Sequence, residues 1–429
     1  MKKMIFSAAA FGLVAVSSIA LAPTTAEAIP AFARQTGAAC LSCHFQTFPA
    51  VNSFGRAFKM GSFTDVGDEA LVEDDALSIP ASLNATVVIR GNYTRTSTTA
   101  AGVKTTTGNW NVPSETPILI AGRVGSNSGA FVEFANGGAG AGPAGAGAPV
   151  SVGNWQFMNS FDLGGFKVGV SAANSTFGGS AQMEYSNVFG QHSGKLAGGN
   201  VSAIQALGFA QATVGVGAWV GNDMGNIQLA LIAPSAAQGT NVGTSFGKLV
   251  RGAATLDLAG WDTLIGFGVV TGTAGKSVAS GGVGQNPMDL QFVDAQFQGA
   301  VGDTSIGVYA DWAHAKGKTD QASLQGNVYG VTNGPTNLIN IAGTKSDAYS
   351  IRADIKPLEH VIVGAGYGYN KFSTPVAASI SNTKTTQVAA TYEIYQNFEI
   401  NGVYTSAKTT TGGVANTTNT TLLEFEALM

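Results

Sequence analysis

Cysteine is almost absent from this chain of 429 residues: there are two, Cys40 and Cys43, beside four histidines. Two thiols can neither form a disulfide-dense scaffold nor supply a four-thiolate zinc site. Charge is scarce as well, at 11% of residues against roughly 25% in ordinary soluble domains. A net charge of −4 leaves no basic surface for nucleic acid, so no such partner is expected. Disorder requires low hydrophobicity with high net charge, and apolar residues make up 45% here. The 58 glycines come with only 13 prolines and no G-X-Y period, which excludes collagen. Beyond residue 22 no stretch approaches the ~20 apolar residues of a membrane helix. Strands remain possible, because a transmembrane barrel alternates apolar and polar residues and never shows such a run.

The single apolar run stands at the front. Lys2 and Lys3 precede Met4–Ala22, followed by Ala26-Glu27-Ala28. This n-region, h-region and A-x-A order predicts a cleaved export signal over residues 1–28, with the mature chain beginning near Ile29. Residues 29–76 read as a small, partly helical unit and its linker. Phe54 and Phe58 lie four apart behind Val51, with Arg56 and Lys59 on other faces, and Asp65–Asp75 is acidic.

From residue 77 to 429 the period becomes two. Tyr349, Ile351, Ala353 and Ile355 alternate with Ser350, Arg352 and Asp354, and Leu423, Phe425 and Ala427 bracket Glu424 and Glu426. One face is apolar and the other polar. The breaks predict sixteen strands, near 82–97, 115–124, 129–136, 154–163, 166–174, 202–220, 226–234, 247–258, 261–271, 288–300, 304–315, 346–355, 360–371, 384–395, 397–408 and 419–429. Short connections such as Leu163–Gly165, Ala259–Gly260 and Gly302–Asp303 alternate with long ones such as Thr98–Ser114, Ser175–Val201 and Lys316–Lys345. The expected fold is mainly β: a 16-stranded antiparallel outer-membrane β-barrel, in contact with outer-membrane lipid, preceded by the small helical unit. A soluble sandwich or solenoid would not sustain the long–short alternation.

Chemistry concentrates in Cys40-Leu41-Ser42-Cys43-His44, the attachment pattern of a c-type haem. Two thiols three apart reach two vinyl groups, and the next imidazole takes an axial iron position. The competing uses are a disulfide, a thioredoxin-like pair and zinc. No βαβ pattern surrounds the pair, and zinc would need further ligands. One haem c is the expected cofactor, bound by Cys40, Cys43 and His44. Met60, sixteen residues after His44, is the first candidate for the second axial ligand, with ordinary packing as its alternative. His360 is the second candidate, since it shares strand parity with Gly364 and Gly366 on the expected lumen side; a plain turn histidine is its alternative. Arg34, Arg56 and Lys59 are candidates for pairing with haem propionates, His192 falls in an expected external loop, and His314 reads as a rim residue. The glycine-rich run 137–149 neither opens a helix nor sits in a βαβ unit, so it reads as a loop.

The stretch FARQTGAACLSCHFQTFPAVNSFGRAFK, Phe32 to Lys59, resembles the N-terminal segment of the fused cytochrome–porin outer-membrane proteins of iron-oxidising bacteria. That resemblance implies covalent haem at Cys40 and Cys43, His44 as axial ligand, and a porin following in the same chain. It also implies ferrous iron oxidase activity: extracellular Fe(II) as electron donor and a periplasmic cytochrome as acceptor. Two other readings stand beside it, an electron conduit with another donor or outward direction, and a passive porin with a structural or sensory haem.

Overall fold

The computed structural model describes residues 30–47, 50–75, 77–135, 151–175, 203, 213–234, 246–274, 286–316, 345–373 and 380–429. The expected signal segment, His192 and the run 137–149 lie outside them. Among the described residues three short helices come first: α1 (Pro30–Thr36), α2 (Cys40–Cys43) and α3 (Ser53–Met60). The acidic link then forms a small hairpin of β1 (Leu71–Glu73) and β2 (Ser78–Pro80), antiparallel in register Val72 to Ile79. Glu73 and Ser78 both meet the Arg123 guanidinium, which docks this hairpin on the barrel wall.

The barrel runs from β3 (Ala85–Ala100) and β4 (Val103–Glu115) through β5 (Ile118–Gly125), β6 (Ser128–Ala135), β7 (Ser151–Leu163), β8 (Phe166–Ser175) and β9 (Thr213–Asn222). It continues with β10 (Gly225–Pro234), β11 (Gly247–Leu258), β12 (Trp261–Ala274), β13 (Asn286–Val301), β14 (Thr304–Lys316) and β15 (Lys345–Leu358). The last staves are β16 (Val361–Ser373), β17 (Ser381–Tyr395), β18 (Phe398–Thr411) and β19 (Val414–Leu428). Every neighbouring pair is antiparallel, and β19 pairs back onto β3, which closes the sheet. Both β4 and β5 pair with β3 and not with each other, so they are one stave interrupted at Thr116-Pro117, where proline cannot donate to the ladder. Counted by staves the barrel has sixteen strands. The last residue helps to seal it, Met429 and Val87 exchanging backbone hydrogen bonds of 2.8 and 2.9 Å.

The short connections expected at Leu163–Gly165, Ala259–Gly260 and Gly302–Asp303 are tight turns, all at one end of the barrel. Two expected loops are corrected at the other end. Thr98–Ser114 is not a loop: threonines carry β3 and β4 onward to a tight turn at Ala101-Gly102. Likewise β18 and β19 extend through threonine-rich segments to Gly412-Gly413. β-branched residues suit such ladders, and their polar oxygens pair across strands, as Thr98 does with Thr418. The expected strand 202–220 is also corrected. The strand begins at Thr213, and Ala203 is helical and buried, its amide donating to Asp311 Oδ1 and Ser350 Oγ on the inner wall.

The two faces of each strand differ as the period requires. Along β15, Ser346, Ser350, Arg352 and Asp354 are buried inward, while Tyr349, Ile351 and Ile355 are exposed outward. Inward charges are answered inside the barrel. Arg251 and Asp294, both fully buried, join through Nε and Nη2 at 3.1 and 2.6 Å. Breaking such a pair strands a buried charge, which is why both partners occur together.

Candidate cofactor site

The helical unit lies inside the short-turn end of the barrel. Gln46 donates to Ser305 and Asp354 beside two of the short turns, and its carbonyl accepts from Lys356. Val51 carbonyl accepts from Gln296 and Gln298, and Arg56 forks onto Asp262 at 2.5 and 2.7 Å. Thr47 lies 3.4 Å from Glu399. Gln35 bonds Phe63 and Asp65 carbonyls with its amide and receives the Arg123 backbone N–H on its oxygen. An apolar seat completes the fit: Ala31, Phe58, Met60 and Phe63 pack among Leu119, Phe131 and Trp219 of the wall. Gly129 is needed there, because any Cβ would run into the Ser62 carbonyl.

Within this plug, α2 carries Cys40 and Cys43 one helical turn apart, which puts both thiols on one side. Neither is in a disulfide. His44 leaves the helix in an extended conformation, φ −109° and ψ 151°, and bridges antiparallel to Val51. The loop between them is drawn tight by Phe45 N–H to Ala50 carbonyl at 2.7 Å and Asn52 N–H to Cys43 carbonyl at 3.0 Å. Asn52 then does two jobs. Its oxygen caps α3 by accepting from Gly55 N–H at 3.0 Å, and its amide donates to Ser42 carbonyl at 2.9 Å, with Leu41 and His44 carbonyls at 3.5 Å. One side chain therefore satisfies the end of α2 and the start of α3. Gly55 lets α3 close directly over Cys43; a side chain there would strike the Cys43 carbonyl.

Burial, with the Asp65 charge nearby, pushes the Cys43 thiol from 9.0 up to about 11. The raised value lowers the thiolate fraction at neutral pH and so disfavours thiol–disulfide exchange. Phe54, on α3, is 47% exposed although Phe58 and Phe63 of the same unit are buried. Two thiols outside any disulfide on one helical turn, an adjacent imidazole and an uncovered aromatic ring fit covalent attachment of a c-type haem, and among the described residues no cluster of histidine, cysteine and carboxylate fits a bare metal ion.

The other sequence candidates have contacts of their own. The Met60 sulfur is directed at β9, where a Cβ on Gly221 would stand 2.7 Å from it, and the Met60 carbonyl accepts from the Trp219 indole at 3.3 Å. His360 is a turn residue; its ring lies 6.3 Å from that of Tyr392, on the outward parity of β17, and its carbonyl accepts from Glu393 N–H. Arg34 donates to the Ala85 carbonyl and Arg56 is held by Asp262, so both arginines tie the plug to the wall. Lys59 is buried. His314 faces outward and pairs with Asp347 at 2.5 Å, as a rim position implies. Sequence reasoning passed over Asn52, Gln35, Asp262 and Trp219. Asn52 carried a readable signal, an asparagine directly before a helix; the others act only through partners far along the chain.

No family model and no curated protein matches this chain. Its fold is similar to outer-membrane barrels of known structure. OmpT of Vibrio cholerae is 11% identical, with 84% of this chain and 99% of that one covered and a TM-score of 0.47. The outer membrane channel DcaP of Acinetobacter baumannii is 10% identical, with 81% and 97% covered and a TM-score of 0.49. A BenF-like porin from Pseudomonas fluorescens Pf-5 is 11% identical, with 83% and 99% covered and a TM-score of 0.42. Likeness at this level concerns fold and transfers no residue role.

Proposed function

We propose that the chain is an outer-membrane electron-transfer protein: a barrel plugged by a monohaem segment that takes electrons from extracellular Fe(II), as substrate, and delivers them to a periplasmic electron carrier. The closed barrel with apolar side chains outward supports the membrane placement, and long connections outside with short turns in the periplasm support the orientation. The observation that carries the haem is the spacing of the Cys40 and Cys43 thiols one turn apart on α2 with His44 behind them, clamped by Asn52 within the short-turn end.

Haem bound there supplies one-electron chemistry at a potential set by its axial ligands and surroundings. The chain's own residues do the rest. Cys40 and Cys43 would tether the haem through thioether bonds, the hydrogen of each thiol passing to the other carbon of its vinyl group. His44 would supply a ligand to the iron, in the position its bridge to Val51 fixes. The plug, held by Arg56, Gln46 and the Trp219 seat, restricts passage through the lumen, which separates a polar donor or an insoluble product from the periplasm. Purified full-length protein should retain haem through denaturation and show reduced-haem absorption on anaerobic addition of Fe(II). Cys40→Ser with Cys43→Ser should abolish both. Haem that stays oxidised in excess Fe(II) refutes the oxidase.

The barrel itself favours a second reading, a passive porin with a structural haem. Steady open-channel conductance of the intact chain in planar bilayers would favour that reading; conductance appearing only after residues 30–68 are deleted supports the plug.

A further inference from the structure

The outer wall carries opposite charge at its two rims. At the long-connection rim, Lys316, Lys345, Lys371, Lys384 and Lys408 are exposed on five consecutive strands, β14 to β18. All five share the outward parity: Trp312, Tyr349 and Tyr404 lie four residues below Lys316, Lys345 and Lys408 on the same face. Register sets Lys316 directly opposite Lys345, and Lys384 directly opposite Lys408. Like charges in such pairs repel, so the wall alone disfavours the arrangement. The outward acids on this sector are Asp347, which joins His314 and which the β15–β16 register sets opposite Lys371, and Asp289, which the β13–β14 register brings beside Lys316, so the two like-charge pairs are only partly answered by the wall. At the opposite rim the short turns expose Asp162, Asp223, Asp257, Asp303 and Glu359, with Lys167 held by Asp162.

Ammonium groups one turn of the pleat above an aromatic belt stand at the level of lipid headgroups, their stems lying along the apolar wall. We propose that the β14–β18 rim binds the phosphates of an anionic outer-leaflet lipid, the paired lysines flanking phosphate and the aromatic belt lying against the acyl chains. Charge complementarity selects this occupant: it offsets two like-charge pairs, and the acidic turns at the other rim would repel it. The proposal rests on the membrane placement above.

The test uses full-length protein in detergent micelles, offered diphosphoryl lipid A or phosphatidylcholine, with bound lipid counted by native mass spectrometry. Wild type should retain diphosphoryl lipid A over phosphatidylcholine by on the order of tenfold or more. The variant with all five lysines changed to glutamine should lose that preference, Lys167→Gln should keep it, and inorganic phosphate should not displace the lipid. If the fivefold variant does not fold, Lys316→Gln with Lys345→Gln should show a partial loss. Unchanged preference in a folded lysine variant overturns the proposal, as does displacement by free phosphate, which would mean a simple anion site. Wild type that inserts into phosphatidylcholine vesicles yet shows no lipid A preference refutes this site alone; failure to insert refutes the membrane placement.

Discussion

Asn52 is the side chain on which the geometry around Cys43 and His44 depends, and its replacement gives a graded expectation. Asn52→Ala removes the cap on Gly55 N–H, about 1 kcal/mol. It also removes the 2.9 Å bond to the Ser42 carbonyl, worth about 1 kcal/mol more. The sum, about 2 kcal/mol, corresponds to roughly 30-fold faster local opening. Hydrogen exchange of a peptide spanning α3 in the intact chain reads this directly, while barrel strands serve as an internal standard. Asn52→Ser keeps an acceptor for Gly55 and loses the donors, so about fivefold is expected. Asn52→Asp also keeps the cap but sets a carboxylate against the Leu41, Ser42 and His44 carbonyls, so it should open at least as readily as the alanine variant. Equal exchange in the serine and alanine variants, or wild-type protection in Asn52→Asp, would refute the two-ended clamp.

Arg56 and Asp262 should couple. A double-mutant cycle with Arg56→Ala and Asp262→Asn, read by the same exchange, should give about 1–2 kcal/mol, since Nη2 meets both carboxylate oxygens and the pair is mostly shielded from solvent; additive losses would remove Arg56 from the anchor. In protein produced without haem, Cys43 holds its proton when an unfolded thiol has lost it. The folded plug therefore binds more protons between pH 9.0 and about 11 and loses stability as pH rises through that window. Alkylation of Cys43 in the Cys40→Ser background should inflect near pH 11, and inflection near pH 9 contradicts the buried position. Met60→Leu keeps the packing against Gly221 and Trp219, so the oxidised-state absorption of haem-loaded protein should not change; loss of a sulfur-to-iron band would restore Met60 as a ligand.

Much of the barrel was legible because its period of two and its turn residues are local signals. Gly302-Asp303 and Ala259-Gly260 end strands by their own backbone preferences, and the structure turns there. The failures have a common cause. Between residues 98 and 114, and again at 409–418, polar threonine ladders continue the strands beyond the apolar belt, so the hydrophobic pattern ends before the strand does. The 202–220 segment read as strand because its apolar residues alternate, yet Ala203 is helical against Asp311, a partner 108 residues away. At the site, the closeness of Cys40, Cys43 and His44 followed from their spacing, and so did a helix through Phe54 and Phe58. Met60 was not: its spacing allows a ligand or an anchor, and only Trp219 and Gly221 reveal where the sulfur is directed.

The scarcity of charge acquires a meaning once each strand is divided into its two faces. A charge facing lipid at mid-height costs about 2–4 kcal/mol when it is basic, so nearly half of every strand is closed to charge. The inward half is open to it, and there charges sit where the plug or a nearby strand answers them: Asp262 under Arg56, Lys356 between Gln46 and Glu393, Arg251 against Asp294. Outward charge gathers towards the rims, with lysine prevailing on the β14–β18 sector of one and carboxylate in the short turns of the other. It follows that Asp262 and Lys356 serve the attachment of the N-terminal unit as well as the barrel. A chain stripped of residues 30–68 should leave both facing an emptied lumen, and its barrel should be less stable than the sheet pairing alone would predict.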